Sequence, residues 1–382
     1  MNRTGGEIDL SVIMPCLNEE ETIGESIRQA KEAMAGMGVR GEILVVDSDS
    51  TDRSREIALR EGARVINQPE RGYGNAYLRG FDEARGRYLV MGDPDGTHDF
   101  REIGRFVDLL GEGNDFVMGS RYRGTMMPGS MPFLNRYLGN PMIYKIMRLF
   151  FGTRVSDTNC GMRAITREAY RRLNLHTKDW EYALEMVVKA ERLGLRTAEV
   201  PITYYARGGE TKLRPMYAGW RNLRFMLLYC PNWLFLIPGI AMLATGFGLM
   251  LLLLGGEVHI GGRLIGFHFS VLGALLSILG FQTIALGAYA KVYSMAENFG
   301  ADDAFTKFLN RYVSLERGIV SGGIVFLAGL VINLYLVYRK LVDTANVETL
   351  GPAIFAMSLI ILGAGIFFSS FFLSVLQIRR RA

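Results

Sequence analysis

Two rhythms of apolar residues divide the chain. Through the first 230 residues, short apolar runs alternate with amphipathic stretches. Leu10–Pro15, Glu42–Asp47, Ala63–Asn67, Tyr88–Gly92 and Asp115–Gly119 read as strands. Helical patterns run from Glu19 to about Met37, from near Thr51, and from Gly74 to Arg85, the last with Ala76, Leu78, Phe81 and Ala84 free to face a core. Such alternation predicts a parallel sheet covered on both faces. From Pro231 onward the rhythm changes to long apolar runs. Residues Asn232–Gly255, Leu264–Ala290, Gly318–Tyr338 and Leu350–Leu376 contain no Asp, Glu, Lys or Arg, and each exceeds the ~20 residues needed to cross a hydrocarbon core of ~30 Å. Between the two regions, residues 214–231 predict a juxtamembrane helix. Met216, Trp220, Leu223 and Leu227 share one face of it, and Tyr217, Arg221 and Arg224 lie elsewhere, a pattern suited to the headgroup region.

Composition adds orientation. The whole-chain mean hydropathy of +0.15 averages a soluble head with a membrane tail. Met1–Gly6 lacks the basic-then-apolar start of an export signal, so a cytoplasmic head is expected. Lys212, Arg214, Arg221 and Arg224 before the first span, and Arg379–Arg381 after the last, agree with that orientation, whereas Arg339 and Lys340 fall on the other side. Cys16, Cys160 and Cys230 have unrelated spacings and give neither a disulfide framework nor a zinc motif. The net charge of +5 is small and its basic residues gather near the tail, so nucleic acid is not an expected partner.

Ligands in α/β sheets bind beyond the carboxyl ends of the strands. There this sequence places acids: Asn18-Glu19-Glu20 after the first strand, Asp47-Ser48-Asp49 after the second, and Asp93-Pro94-Asp95 after the fourth. Acids crowded into one crevice require a compensating cation or hydrogen-bond donors. Asp93 and Asp95, two apart in an extended segment, can address one site, and a hard divalent cation takes one or two carboxylates together with substrate phosphates. Asp-Pro-Asp-Gly is also good turn chemistry. Gly72-Tyr73-Gly74, preceded by Arg71, reads either as a loop that lets backbone approach a nucleotide or as a plain helix start.

With these motifs in place, residues 10–213 resemble family-2 glycosyltransferases of the GT-A fold, especially the dolichol-phosphate mannose and glucose synthase branch. VIMPCLNEE, VVDSDSTD, ERGYGNA, MGDPDGTHDF, GSRY, SDTNCGMR and EVPITYYARGGETKL recur in that family's order. The resemblance implies an α/β, Rossmann-like GT-A catalytic domain over residues 1–213, followed by an all-α domain of four spans over 232–382. It implies that Pro15, Asn18, Glu19, Asp47 and Asp49 hold the donor nucleotide, with Arg71, Gly72 and Gly74 beside them. Asp93 and Asp95 match the Mg²⁺ or Mn²⁺ and diphosphate motif. Arg121, Arg207 and Lys212 would meet donor and acceptor phosphates, and Asp157 falls near the acceptor as an orienting group or weak base. Where many relatives carry Gln, this chain has Thr97, followed by His98.

The implied reaction is inverting transfer of a hexose from a nucleotide-sugar, UDP-glucose or GDP-mannose foremost, to a polyprenyl or dolichyl phosphate at the cytoplasmic face of a cell membrane. The expected partners are donor, lipid acceptor and bilayer, with a second copy of the chain left open. Two alternatives stand beside it: transfer to a sugar hydroxyl in polysaccharide synthesis, and a non-catalytic nucleotide-binding membrane scaffold. No Q-x-x-R-W run of the polymer synthases is present.

Overall fold

The computed structural model describes residues 8–208, 215–230, 232–260, 263–296, 304–312, 314–342 and 350–378. The chain divides into two units, Met1–Met226 and Leu227–Ala382.

In the first unit the apolar runs become β1 (Leu10–Cys16), β2 (Gly41–Asp47), β3 (Arg64–Asn67) and β4 (Tyr88–Met91), all parallel, with β1 between β2 and β4. The connecting helices are α1 (Ile23–Met37), α2 (Ser54–Arg60) and α3 (Tyr73–Glu83). Val12, Met14, Val45 and Val90 are fully buried in the sheet, beneath Ile23 and Ile27 of α1, as strands covered on both faces require.

Beyond β4 the expectation of a parallel sheet fails. The chain continues through α4 (Ile103–Gly111), β5 (Phe116–Met126), α5 (Asn140–Phe151), β6 (Arg163–Thr166), α6 (Arg167–Leu173), α7 (Tyr182–Arg192) and β7 (Thr197–Tyr204). The sheet order is β3-β2-β1-β4-β6-β5-β7, and β6 runs antiparallel to both of its neighbours. The sheet is therefore mixed. Residues 163–166 return from the ligand end of the sheet, so the segment before β6 arrives there as well. β5 is also longer than expected, and its pairing with β7 shifts register between Ser120 and Thr125. Such irregularities re-aim side chains beside active sites.

The helix α8 (Pro215–Tyr229) forms where residues 214–231 predict it. It leaves Trp220 exposed and buries Phe225 and Met226. Arg221 belongs to the head rather than to an outward polar face: its guanidinium donates to Glu181 Oε1 (3.0 Å), Glu181 Oε2 (2.5 Å) and Asp179 Oδ2 (2.7 Å).

The second unit has α9 (Ile237–Leu252), a small hairpin of β8 (Val258–Ile260) and β9 (Arg263–Ile265), α10 (Phe267–Ala296), α11 (Ala304–Tyr312), α12 (Leu315–Val342) and α13 (Leu350–Ile378). Among the described residues, four stretches are long and apolar enough to cross a membrane: Asn232–Leu252, Phe267–Ser294, Leu315–Val342 and Leu350–Leu376. The helices α12 and α13 touch backbone to backbone at Gly322 and Gly363, where a Cβ on either would strike the other helix. Small residues of this kind let apolar helices approach closely where no hydrophobic force drives them together.

Within the head, Lys189 and Glu185 of α7 form an ion pair of 2.8 Å with both side chains fully buried. Glu185 also accepts from the backbone of His176 and Thr177. Removing one member strands a buried charge, so Lys189→Met is expected to destabilise the head by about 3–5 kcal/mol, read as a lowered denaturation midpoint of the purified protein.

Candidate active site

The loops after β1 and β2 are stitched together by their own polar groups. Asn18 adopts a left-handed backbone, its N–H donates to Ser50 Oγ (3.0 Å), and its Oδ1 accepts from Thr51 N (2.8 Å). Glu19 N–H donates to Ser54 Oγ (2.8 Å), and Glu20 N–H to Asp52 Oδ2 (3.1 Å). Pro15 sits inside β1 opposite Val46, and Asp47 ends β2 as a buried carboxylate. Asp49, also left-handed, is exposed.

At the end of β4, Asp93 accepts from Tyr77 Oη (3.1 Å) and Tyr73 Oη (3.5 Å). Burial, then the neighbouring Asp95, push its carboxyl up to about 7. Asp95 Oδ1 accepts from the Thr97 amide (3.1 Å) and hydroxyl (2.6 Å). Thr97 thus spends its hydroxyl on Asp95. Gly161 lies against this group, and a Cβ there would collide with Asp93 Oδ2.

Three arginines face the acids. Arg207 bridges Glu19 (3.0 Å) and Asp95 (3.4 Å), and its Nε makes no hydrogen bond. Arg121, at the register shift of β5, gives three hydrogen bonds to Asp157, from N, Nε and Nη2 at 3.1, 2.7 and 2.8 Å, and lies over the Tyr204 ring. Burial alone would raise the Asp157 carboxyl, but the Arg121 charge and hydrogen bonds outweigh it and hold the group below its ordinary value. Arg163 is fully buried and donates to the carbonyls of Cys160, Ala183 and Thr158. His98 is buried, and desolvation lowers its imidazole to about 4, so it is neutral at physiological pH.

The structure brings Glu19, Asp93, Asp95 and Arg207 together, and Arg121 with Asp157. Arg71 is exposed and forms no ion pair among the described residues. Gly72 and Gly74 have a reason within the protein: side chains there would strike the backbone of Thr177 and Lys178. Lys212 lies outside the described residues. Sequence reasoning overlooked Tyr73 and Tyr77. Their spacing of four, in a helix that begins at Tyr73 within the Gly72-Tyr73-Gly74 motif, was the available signal.

A Rossmann-like sheet with paired carboxylates at its ligand edge, followed by apolar helices, is the architecture of a GT-A glycosyltransferase on a membrane anchor. A model of glycosyl transferase family 2 matches residues 11–173, and one of the family's C-terminal transmembrane region matches 288–377. The low-salt glycan biosynthesis hexosyltransferase Agl6 of Haloferax volcanii is 39% identical over 369 residues, 96% of this chain and 89% of that one. A dolichyl-phosphate hexose transferase of the same organism is 37% identical over 215 residues, 55% of this chain and 89% of its own. The glucosyl-3-phosphoglycerate synthase of Mycobacterium tuberculosis, solved with Mn²⁺, UDP and product, covers 60% of this chain and 86% of its own at a TM-score of 0.47 and 23% identity. The chain belongs to glycosyltransferase family 2, and it is a membrane protein.

Two outcomes follow. Asp157→Ala leaves Arg121 buried without its partner and is expected to cost about 3–5 kcal/mol, whereas Arg121→Met with Asp157→Leu recovers stability but not turnover; thermal melts beside activity separate the two. Asp93 holds its proton more tightly when folded than the ordinary carboxyl near ~4 does. Its contribution is therefore complete below that ordinary value and is lost as pH rises through about 7. Melting of chelator-treated protein is expected to weaken over that rise, and Asp93→Asn to flatten the profile.

Proposed function

We propose that this enzyme transfers a hexose, with inversion, from a nucleotide-sugar to a polyprenyl or dolichyl phosphate at the cytoplasmic membrane face. The observation that carries this reading is the Asp93–Asp95 pair at the end of β4, crowded beside Glu19 with Arg207 as its nearest cation. The relatives named for hexosyl transfer and for dolichyl-phosphate hexose transfer support the acceptor class. UDP-glucose and GDP-mannose are the proposed donors.

The residues fit a hard divalent cation. Two carboxylates stand two residues apart, and Gly161 lets its backbone lie so close to Asp93 that a Cβ there would strike Oδ2. Among the described residues no group of three or more His, Cys, Asp or Glu is placed to hold a metal ion; Mg²⁺ or Mn²⁺ on Asp93 and Asp95 would complete its shell with water and substrate phosphate. When bound, the ion would neutralise charge on the departing diphosphate. The chain's own residues would do the rest. Asp47, with the interlocked Asn18 and Glu19 loops, would hold the nucleoside, and Arg207 would turn donors toward phosphate, Lys212 assisting. Arg121 has its charge matched by Asp157, so the pair serves as a rigid hydrogen-bonding wall that orients the acceptor. An acceptor phosphate is largely dianionic at neutral pH and needs alignment and shielding more than deprotonation.

The test incubates the full chain in detergent with Mg²⁺ or Mn²⁺, polyprenyl phosphate and a panel of nucleotide-sugars, following lipid-linked hexose by mass. Product is expected with one donor, to vanish with chelator, and to fall by roughly 100-fold or more in Asp95→Ala. If donors bind yet no lipid-linked sugar forms, the acceptor assignment fails and a sugar hydroxyl takes its place.

A further inference from the structure

The edge of the head's sheet opposite Asp93 carries a second concentration of charge, of the other sign. Here β4, β5 and β7 begin and β6 ends, with Tyr88 paired to Thr166 and Phe116 to Thr197. The four residues of β4 separate this edge from the Asp93 turn, a distance of ~13 Å. A cleft of about 1190 Å³ opens along it, somewhat above the ~300–1,000 Å³ of ordinary small-molecule sites. Six arginines line the cleft, brought by three separate parts of the chain. Arg85 and Arg87 stand ahead of β4, Arg167, Arg171 and Arg172 on α6, and Arg196 ahead of β7. Tyr88 and Leu110 add apolar surface, and the carboxylates among its lining residues are Asp115 and Glu168.

Several exposed arginines elsewhere on the head are matched by acids, Arg28 by Glu25 and Glu61, Arg79 by Glu83 and Arg101 by Asp99. In the cleft, Arg196 alone of the six forms an ion pair among the described residues, with Asp115 Oδ2 at 3.8 Å. Arg167 is fixed by backbone instead, donating to the carbonyls of Ala84 (2.8 Å) and Gly86 (2.9 and 2.7 Å). Partial burial, then the charge of Arg171, lower its guanidinium from the ordinary value. Arg87 lies over the Tyr88 ring, and Arg172 reaches only the Leu193 carbonyl, at 3.5 Å. A concavity lined by one sign of charge focuses its field and concentrates counter-ions. Shape and chemistry select the occupant. A recess of this size admits a small molecule, whereas an acidic protein surface would reach only its rim. The guanidinium fork binds phosphate oxygens in pairs, and cations spread over three segments need more than one anionic group to engage them.

We infer that this cleft is a second anion site of the head, separate from the Asp93–Asp95 turn, and that it takes a soluble molecule carrying two or more phosphate groups. Arg167 would form its fixed point, and Arg85 and Arg171 its adjustable cations.

The test follows binding of inorganic tripolyphosphate to the full chain in detergent by calorimetry, in divalent-free buffer at physiological ionic strength. Saturable binding is expected, to weaken about tenfold or more when Arg85→Gln and Arg171→Gln are combined, and to persist in Arg207→Gln. No saturable binding to the unaltered chain would overturn the inference. Loss in Arg207→Gln with retention in the paired variant would overturn it too, since the anion would then sit beside Asp95. Citrate at matched ionic strength is expected to displace little tripolyphosphate, and equal displacement would sink the phosphate assignment. A second readout needs no variant. Phenylglyoxal modification, mapped by peptide mass, is expected to slow several-fold at Arg85 and Arg171 when tripolyphosphate is present, with exposed Arg60 of α2 unchanged. Equal slowing at Arg60 would mean general screening and no site. Protection of Arg85 and Arg171 by anionic nanodiscs without tripolyphosphate would overturn the soluble source in favour of a lipid headgroup. Neither readout requires turnover, so both stand apart from the proposed reaction.

Discussion

The head is organised around the repulsion among carboxylates at the ligand edge of its sheet. At ~4 Å and an effective dielectric of ~20, one like-charge pair costs about 4 kcal/mol, a large share of the 5–15 kcal/mol that typically holds a domain folded. The compensation has a clear division of labour. The parallel strands β1, β2 and β4 bring the acids Glu19, Asp47, Asp93 and Asp95. The mixed half returns the cations: Arg121 on β5, Arg163 opening β6 and Arg207 just past β7. Each is spoken for differently, by a carboxylate, by three backbone carbonyls and by a bridge between two acids. Compensation remains incomplete at Asp93, which keeps its proton to unusually high pH.

The antiparallel direction of β6 makes this possible. Met91, the last residue of β4, pairs with Arg163, the first of β6. The loop that feeds β6 is therefore held beside the Asp93–Asp95 turn, bringing Asp157 and Gly161 to the site. Had β6 been parallel, that loop would have entered at the other edge of the sheet.

Much of this was legible in the sequence, for local reasons. Strands such as Leu10–Cys16 and Tyr88–Met91 declare themselves by unbroken apolar runs, the four spans by length without charge, and the acidic strand ends by position. What escaped depends on partners distant in sequence. Four residues of β6 carry no mark of direction. Arg121 and Asp157 are 36 positions apart, and nothing in either motif announces that they would satisfy each other. Gly72 and Gly74 suggested room for a nucleotide, yet the backbone they admit belongs to residues 177 and 178. The β8–β9 hairpin fell partly in a short connection and partly in the expected span Leu264–Ala290, whose first two residues belong to β9.

The electrostatic state of the site bears on the choice of acceptor. A sugar hydroxyl must lose a proton as it attacks, and efficient removal calls for a base whose pKa lies near the working pH. Asp157 is held below the ordinary carboxyl range by Arg121, and His98 is depressed to about 4 by burial. Both are poorly matched to that task. Asp93, near 7, has the right value, but its oxygens already receive two tyrosine hydroxyls, and a cation beside it would lower it. A phosphate arrives with its nucleophilic oxygen already deprotonated. The same features that make this site a weak base for an alcohol would cost nothing for the proposed lipid phosphate, whose anion its arginines would then align.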